Sequence, residues 1–171
     1  MNIQARPAKA ANFLRRSLIY LTILVLMLAI VGTVYQTAAT EADRRNFPPP
    51  GDLIDVGGFK MHIHCEGEGS PTVILDALSG GFSSYWAWIQ PEIAKVTRVC
   101  SYDRAGAGWS DPAPEPLGLR ETTADLHTLL TQAGVAGPYV LVGHSKGGLI
   151  VRQFAADHPD EDQDTGARLV P

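Results

Sequence analysis

The sequence predicts an α/β domain that follows one long apolar helix. Three short and mostly apolar segments, residues 72–75, 98–102 and 139–142, have the composition of buried strands. Each of them runs directly into a loop that contains glycine, and segments with helical character lie between them. Such an alternation of strands and helices is typical of an α/β fold.

The apolar helix is predicted from an uncharged block at residues 17–35, which is about long enough to span a bilayer. The preceding tail, residues 1–16, is basic, so the positive-inside rule places the N-terminus in the cytoplasm and the rest outside it. Residues 36–50 form a polar, proline-rich linker, and residues 51–171 form the domain. The alternative is a secretory signal peptide cleaved after Thr37-Ala38-Ala39, although the length of the block favours an uncleaved anchor.

The domain begins with a predicted hairpin, residues 52–56 and 59–65, turned at Gly57-Gly58. In its second strand His62 and His64 alternate with apolar residues and therefore share one face. A metal site would need a third ligand, which the sequence does not offer nearby. We therefore expect both histidines on a polar face exposed to solvent.

Two glycine-rich loops follow the next two strands. The first runs from Ala77 to Gly81, and the second begins at Asp103-Arg104 and contains Gly106 and Gly108. Asp103 has two interpretations: a catalytic acid, or a residue that fixes its loop together with Arg104 by hydrogen bonds and pairing. A helix over residues 121–133 follows, with leucines at helical spacing.

The third strand leads into Gly143-His144-Ser145-Lys146-Gly147 and then a helix. A serine on so tight a turn is pushed out of the backbone, and Gly143 and Gly147 allow strand and helix to approach closely. The backbone N–H of Lys146 lies at the helix N-terminus and faces the same space. The pattern predicts a nucleophilic serine beside an oxyanion donor.

Taken in this order, the three motifs resemble the α/β-hydrolase fold family over residues 49–159. The resemblance implies a three-layer α/β/α sandwich and a serine hydrolase acting on esters or similar acyl compounds through Ser145. It also implies a second oxyanion donor in the first glycine loop, namely the N–H of Ser79, with Leu78 as the next candidate. For Asp103 it favours the structural interpretation.

The same resemblance places the strand that ends at Cys65 beside the strand that carries Cys100. A disulfide between these two cysteines could persist in an oxidising compartment. Two buried free thiols are the alternative, and the sequence leaves both open.

The base and acid of a catalytic triad are not apparent in the sequence. In the family they follow the nucleophile, but His158 is the only histidine among the 26 residues after Ser145, and its helix leads away from the serine. His144 is adjacent, yet neighbouring side chains on a tight turn diverge. The tail, residues 162–171, is acidic and turn-like. We therefore predict a C-terminally truncated domain without a catalytic acid or histidine, whose last strand is an open sheet edge available for pairing.

Composition excludes several other classes of protein. A formal net charge of −4 argues against nucleic acid as a partner. Phosphate-loop, dinucleotide-binding and zinc-type cysteine motifs are absent from the sequence, so we expect no cofactor and no metal. A membrane-anchored serine hydrolase is the favoured function, and a non-catalytic anchored fragment or partner-binding module is the alternative.

Overall fold

The computed structural model describes residues 6–159 and 168–170 of the chain. These residues belong to two compact units, residues 1–48 and 49–171. The first unit is a long helix and the second is a sheet with helices on both faces.

Helix α1, Arg6–Asn46, extends beyond the predicted apolar block in both directions. The expected linker is helical as far as Asn46, because the chain from residue 33 to residue 47 contains neither glycine nor proline. An ion pair between Arg45 and Glu41, one turn apart at 2.9 Å, supports the last turns. The part from Ala11 to Asp43 is long and apolar enough to cross a membrane, by length and composition. Residues 1–5 of the predicted basic tail lie outside the described residues.

The second unit contains a six-stranded sheet of order β1-β2-β4-β3-β5-β6. Strand β2 is antiparallel to β1 and β4, and the remaining neighbours are parallel. The strands are β1 Asp52–Asp55, β2 Lys60–Glu66, β3 Thr72–Asp76, β4 Val99–Tyr102, β5 Tyr139–His144 and β6 Arg168–Val170.

Helices cover both faces of this sheet, because residues alternate between its two sides. On one face, Ile74 and Leu141 pack with α3, Leu119–Gln132, and α4, Lys146–Asp157. On the other face, Val73, Leu75 and Val99 pack against Trp86 of a short 3₁₀ helix, Ser83–Trp86, and near α2, Gln90–Ala94. The predicted three-layer sandwich is thereby confirmed.

The edge of β5 that faces away from β3 is paired with another strand, whereas the sequence predicted an open edge. Strand β6 pairs with its last three residues, so that Val142 faces Arg168 and His144 faces Val170. Residues 168–170, which were expected to be turn-like, contain Leu169 and Val170, and such apolar residues fit a strand. The predicted acidic turn at residues 162–167 lies outside the described residues.

Cys65 and Cys100 form a disulfide across β2 and β4. The antiparallel register sets these two residues directly opposite each other, with Cα atoms 4.1 Å apart. The structure thus decides for the disulfide over two free thiols, and the predicted neighbourhood of the two strands is confirmed.

Removal of this disulfide is expected to destabilise the domain. Its two cysteines are 35 residues apart, and freeing a loop of that size in the unfolded chain lowers the free energy of unfolding by about 2–4 kcal/mol. The measurement is urea denaturation of the detergent-solubilised full chain, comparing wild type with the Cys65→Ala/Cys100→Ala variant. Dithiothreitol should destabilise the wild type alone. Equal free energies of unfolding for the variant and for the wild type without reductant would contradict the prediction.

Candidate active site

Ser145 occupies a strained turn between β5 and α4. Its φ is 54° and its ψ is −114°, and among the described residues it is the only non-glycine residue with a positive φ. Such backbone costs about 1–3 kcal/mol and occurs preferentially at functional sites. The side chain is exposed to solvent. The turn therefore presents the serine hydroxyl outward, as the sequence predicts.

The two flanking glycines are required by close backbone contacts. A Cβ on Gly147 would overlap the carbonyl oxygen of Asp76 in β3, and one on Gly143 would lie 2.5 Å from the carbonyl carbon of Gly147. No side chain fits at either position without moving the backbone. The start of α4 consequently lies directly against the end of β3.

Three backbone N–H groups near this turn have no hydrogen-bond acceptor among the described residues: those of Lys146, Leu78 and Ser79. Lys146 is the first residue of α4, where N–H groups have no acceptor within the helix. Asp76 pairs with Gly143 across β3 and β5, so the loop at residues 77–81 and the serine turn leave the sheet side by side. This arrangement suits an oxyanion hole, and the use of Lys146 and Ser79 as its donors stays a prediction.

A cavity of about 650 Å³ opens beside the serine turn. Lys146 and Gly80 border it on the sheet side, and the proline-rich segment at residues 112–117 and Asp125 of α3 border it elsewhere. Burial raises the pKa of the Asp125 carboxyl, and the nearby negative charge of Glu121 raises it further. The cavity is large enough for a small-molecule substrate.

Arg104 links the loop after β4 to the loop after β3. Its guanidinium pairs with the buried Asp76 carboxylate and donates to the carbonyl oxygens of Ala77, at 2.8 Å, and Leu78, at 2.5 Å. Burial raises the pKa of the Asp76 carboxyl, and the Arg104 charge partly offsets this rise. The sequence marked Arg104 as a loop-fixing residue, but gave no sign that its partners lie in the other loop.

Asp103 is a structural carboxylate at the centre of a buried network. It accepts hydrogen bonds from the backbone N–H groups of Ser83, at 2.6 Å, and Trp109, at 2.9 Å, and from the ring of His62, at 3.0 Å. Burial alone would raise the pKa of Asp103, but these donors hold it below the ordinary value. These contacts agree with the loop-fixing interpretation.

The expected solvent exposure of His62 is wrong. Its side chain is 0% exposed, between Asp103 and the ring of Trp109. The N–H of Gly51 donates to its Nε2 at 3.1 Å, so Nδ1 carries the proton that is donated to Asp103. Alternation in a hairpin strand predicts one solvent-exposed face, but in β2 the loop after β4 covers the face that carries His62. His64, on the same face, is partly exposed and lies 3.7 Å from Glu66.

The histidine side chains pack against groups other than the Ser145 hydroxyl. His144 stacks on the ring of Tyr85, and His127 stacks on His158, with ring centroids 4.1 Å apart, at the far end of α4. Within residues 6–159 no histidine hydrogen bonds to Ser145. The same residues contain no cluster of three or more acidic, histidine or cysteine side chains that could hold a metal ion.

Strain at Ser145 should be measurable by comparing two substitutions. Glycine adopts a positive φ without strain and alanine does not. The free energy of unfolding of Ser145→Gly should therefore exceed that of Ser145→Ala by about 1 kcal/mol. The matched control is Ala156→Gly in α4, which should lower the free energy of unfolding by about 0.5–1 kcal/mol, because glycine is less favourable than alanine inside a helix. Urea denaturation checks both comparisons. If Ser145→Ala is the more stable of the first pair, the turn is not strained.

Residues 71–161 match the alpha/beta hydrolase fold family. The chain is similar to an uncharacterized vacuolar membrane protein of Saccharomyces cerevisiae, with 29% identity over 122 residues, covering 60% of this chain and 19% of that protein. The structure resembles the enol-lactonase of Burkholderia xenovorans, with TM-score 0.61 and 29% identity, covering 65% of this chain and 44% of the enzyme. It also resembles epoxide hydrolase A of Mycobacterium thermoresistibile, with TM-score 0.58 and 28% identity, covering 65% and 36% of the two chains. The chain thus spans less than half of each of these proteins, and it belongs to the alpha/beta hydrolase fold family.

Proposed function

We propose that this chain carries the nucleophile and oxyanion hole of a serine hydrolase that cleaves esters or related acyl compounds. The observation that carries the proposal is the strained, exposed Ser145, held by Gly143 and Gly147 next to the unbonded N–H of Lys146. Similarity to an enol-lactonase supports an ester substrate, since a lactone is a cyclic ester.

In the proposed reaction the Ser145 oxygen attacks the acyl carbon and loses its proton to a base. The carbonyl oxygen becomes an oxyanion, which accepts hydrogen bonds from the N–H groups of Lys146 and Ser79. Collapse of this intermediate breaks the ester bond, and the leaving alcohol takes up a proton. Water then releases the acid from the acyl-enzyme and restores the serine.

We propose that none of the five histidines is the base of this reaction. His144 stacks on Tyr85, and His64 lies 3.7 Å from Glu66. His62 has both ring nitrogens engaged in hydrogen bonds, and His127 and His158 stack on each other away from the serine. We therefore propose that Ser145 in this chain has its oxyanion hole but no activating base. An enzyme that lacks its base keeps a residual rate from the oxyanion hole and from binding.

Imidazole supplied in solution should therefore accelerate the reaction of Ser145. The measurement is the rate of labelling of the full chain by a fluorophosphonate, with and without imidazole. We expect slow labelling that rises with imidazole concentration, because the exposed serine is accessible to the free base.

The control is Ser145→Ala, which should abolish labelling under both conditions, with Ser70→Ala, at an exposed serine before β3, as a serine substitution elsewhere. Absence of Ser145-dependent labelling in a folded protein, even with imidazole, would sink the proposal and favour a non-catalytic, partner-binding role. Fast labelling without imidazole would show that a base reaches the serine after all.

We further propose that α1 anchors the chain in a membrane, with the N-terminus in the cytoplasm and the sheet-containing unit outside it. The apolar segment from Ala11 to Asp43 and the similarity to a yeast vacuolar membrane protein support the anchor. The disulfide supports the orientation, because disulfides persist in oxidising compartments rather than in the cytosol. Removal of α1 by signal cleavage is the alternative.

The orientation of the proposed anchor can be tested through the oxidation state of Cys65 and Cys100, which are the only two cysteines in the chain. Cells that express the full chain are lysed in denaturant with a maleimide of high mass, with or without prior reduction. We expect two additions after reduction and none before it, because both thiols are in the disulfide. Cys65→Ser should show one addition without reduction. Two additions to the unreduced wild type would mean that the unit lies in a reducing compartment.

A further inference from the structure

The carbonyl groups that Arg104 binds belong to two consecutive peptide units of the loop at residues 77–81. One guanidinium nitrogen donates to the Ala77 oxygen and the other to the Leu78 oxygen. The Leu78 oxygen also accepts the N–H of Gly81 at 3.0 Å, which closes the loop on itself. Arg104 therefore fixes the orientation of two adjacent peptide planes.

The N–H groups of those two planes are the two candidate oxyanion donors. A trans peptide unit is planar, and its C=O and N–H point in opposite directions. The units Ala77–Leu78 and Leu78–Ser79 are trans, because the only cis bonds within the described residues precede Pro71 and Pro138. With both carbonyls turned toward Arg104, the N–H groups of Leu78 and Ser79 are turned away from it.

The strand order determines what lies on that opposite side. Arg104 follows β4, which is one neighbour of β3, and Ser145 follows β5, the other neighbour. The loop after β3 thus lies between the guanidinium and the serine turn. Its two N–H groups have no acceptor among the described residues, as donors reserved for a ligand would require.

The hydrogen bonds of Asp103 fix the backbone directly before Arg104. Asp103 is bound to His62 in β2 and to the backbone of Ser83, so the chain position next to Arg104 is fixed on two sides. The Ser110 hydroxyl donates to the backbone oxygen of Asp103 at 2.6 Å and closes the loop. The side chain of Arg104 has only 11% of its surface exposed, with Asp76 balancing its charge.

We infer that Arg104 is the positioning residue of the oxyanion hole: it binds the Ala77 and Leu78 carbonyls so that the N–H groups of Leu78 and Ser79 face Ser145. The inference rests on the proposed function, since it assigns a role within that site. The guanidinium also polarises both peptide groups, which strengthens their N–H groups as donors. Lysine cannot replace it fully, because a single ammonium lacks the planar fork that spans both carbonyls.

The test measures the rate of imidazole-supported fluorophosphonate labelling in variants of the full chain. Misplacing an oxyanion donor costs about 10²-fold in rate, so Arg104→Gln should label about 10²-fold more slowly than wild type. Arg104→Lys should fall between the two. Arg104 lines the open cavity, so ethylguanidine should reach the space left in Arg104→Ala and restore part of the rate.

Val135→Ala, a core substitution remote from the loop, controls for lost stability. It should label at the wild-type rate when both variants are folded by circular dichroism. Wild-type labelling by folded Arg104→Gln would overturn the inference, as would an equal loss in Val135→Ala and no response to ethylguanidine.

A second readout separates this inference from the proposed function. If the wild type is not labelled at all, the proposed function fails, and NMR of the Ser145→Ala background still tests Arg104. Arg104→Gln should then shift the carbonyl ¹³C signals of Ala77 and Leu78 and the amide signals of Leu78 and Ser79. Unchanged signals at all four groups would show that Arg104 does not orient the loop.

Discussion

The contact between Gly147 and the Asp76 carbonyl oxygen is the constraint on which the site depends. It allows the start of α4 to lie against the end of β3, with no side chain between them. Once the helix lies there, β5 must turn within one residue, and Ser145 takes the positive φ that this turn demands. The exposed hydroxyl, the unbonded N–H of Lys146 and the neighbouring loop all follow from one close backbone approach.

Two buried carboxylates support the loops near this contact, Asp76 at the end of β3 and Asp103 directly after β4, and the chain compensates their desolvation in different ways. Asp103 is satisfied by hydrogen-bond donors from three segments, which hold its pKa low and tie β2 to the 3₁₀ helix and to the glycine-rich loop after β4. Asp76 depends mainly on one cation, Arg104, and burial still raises its pKa. A buried carboxylate that loses its partner is strongly destabilising. Both loops are therefore held by charge as well as by packing.

The sequence predicts the parts of the site that depend on local backbone geometry. A strand, a glycine-flanked serine and a helix start can be read from consecutive residues, and the same holds for both glycine-rich loops. Contacts between distant segments are not encoded in this way. The burial of His62 depends on the loop after β4, and the disulfide depends on a register that sets Cys65 opposite Cys100. The length of α1 beyond the apolar block was missed because the prediction followed hydropathy, whereas helix termination followed Pro48.

In the proposed reaction, the groups that stabilise the oxyanion and the group that transfers the proton belong to different regions. The proposed donors are in the first turn of α4 and in the loop after β3, and the carbonyl groups of that loop are bound by Arg104, which precedes Ser145 in the chain. None of these contacts involves a histidine near the serine, and the one histidine in the network, His62, acts through Asp103 on the loops. The geometry of the proposed donors is thus independent of the group that would activate the proposed nucleophile. If the proposed function holds, the oxyanion donors keep their positions whether or not a base is present, and the reactivity of Ser145 depends on the base that reaches it.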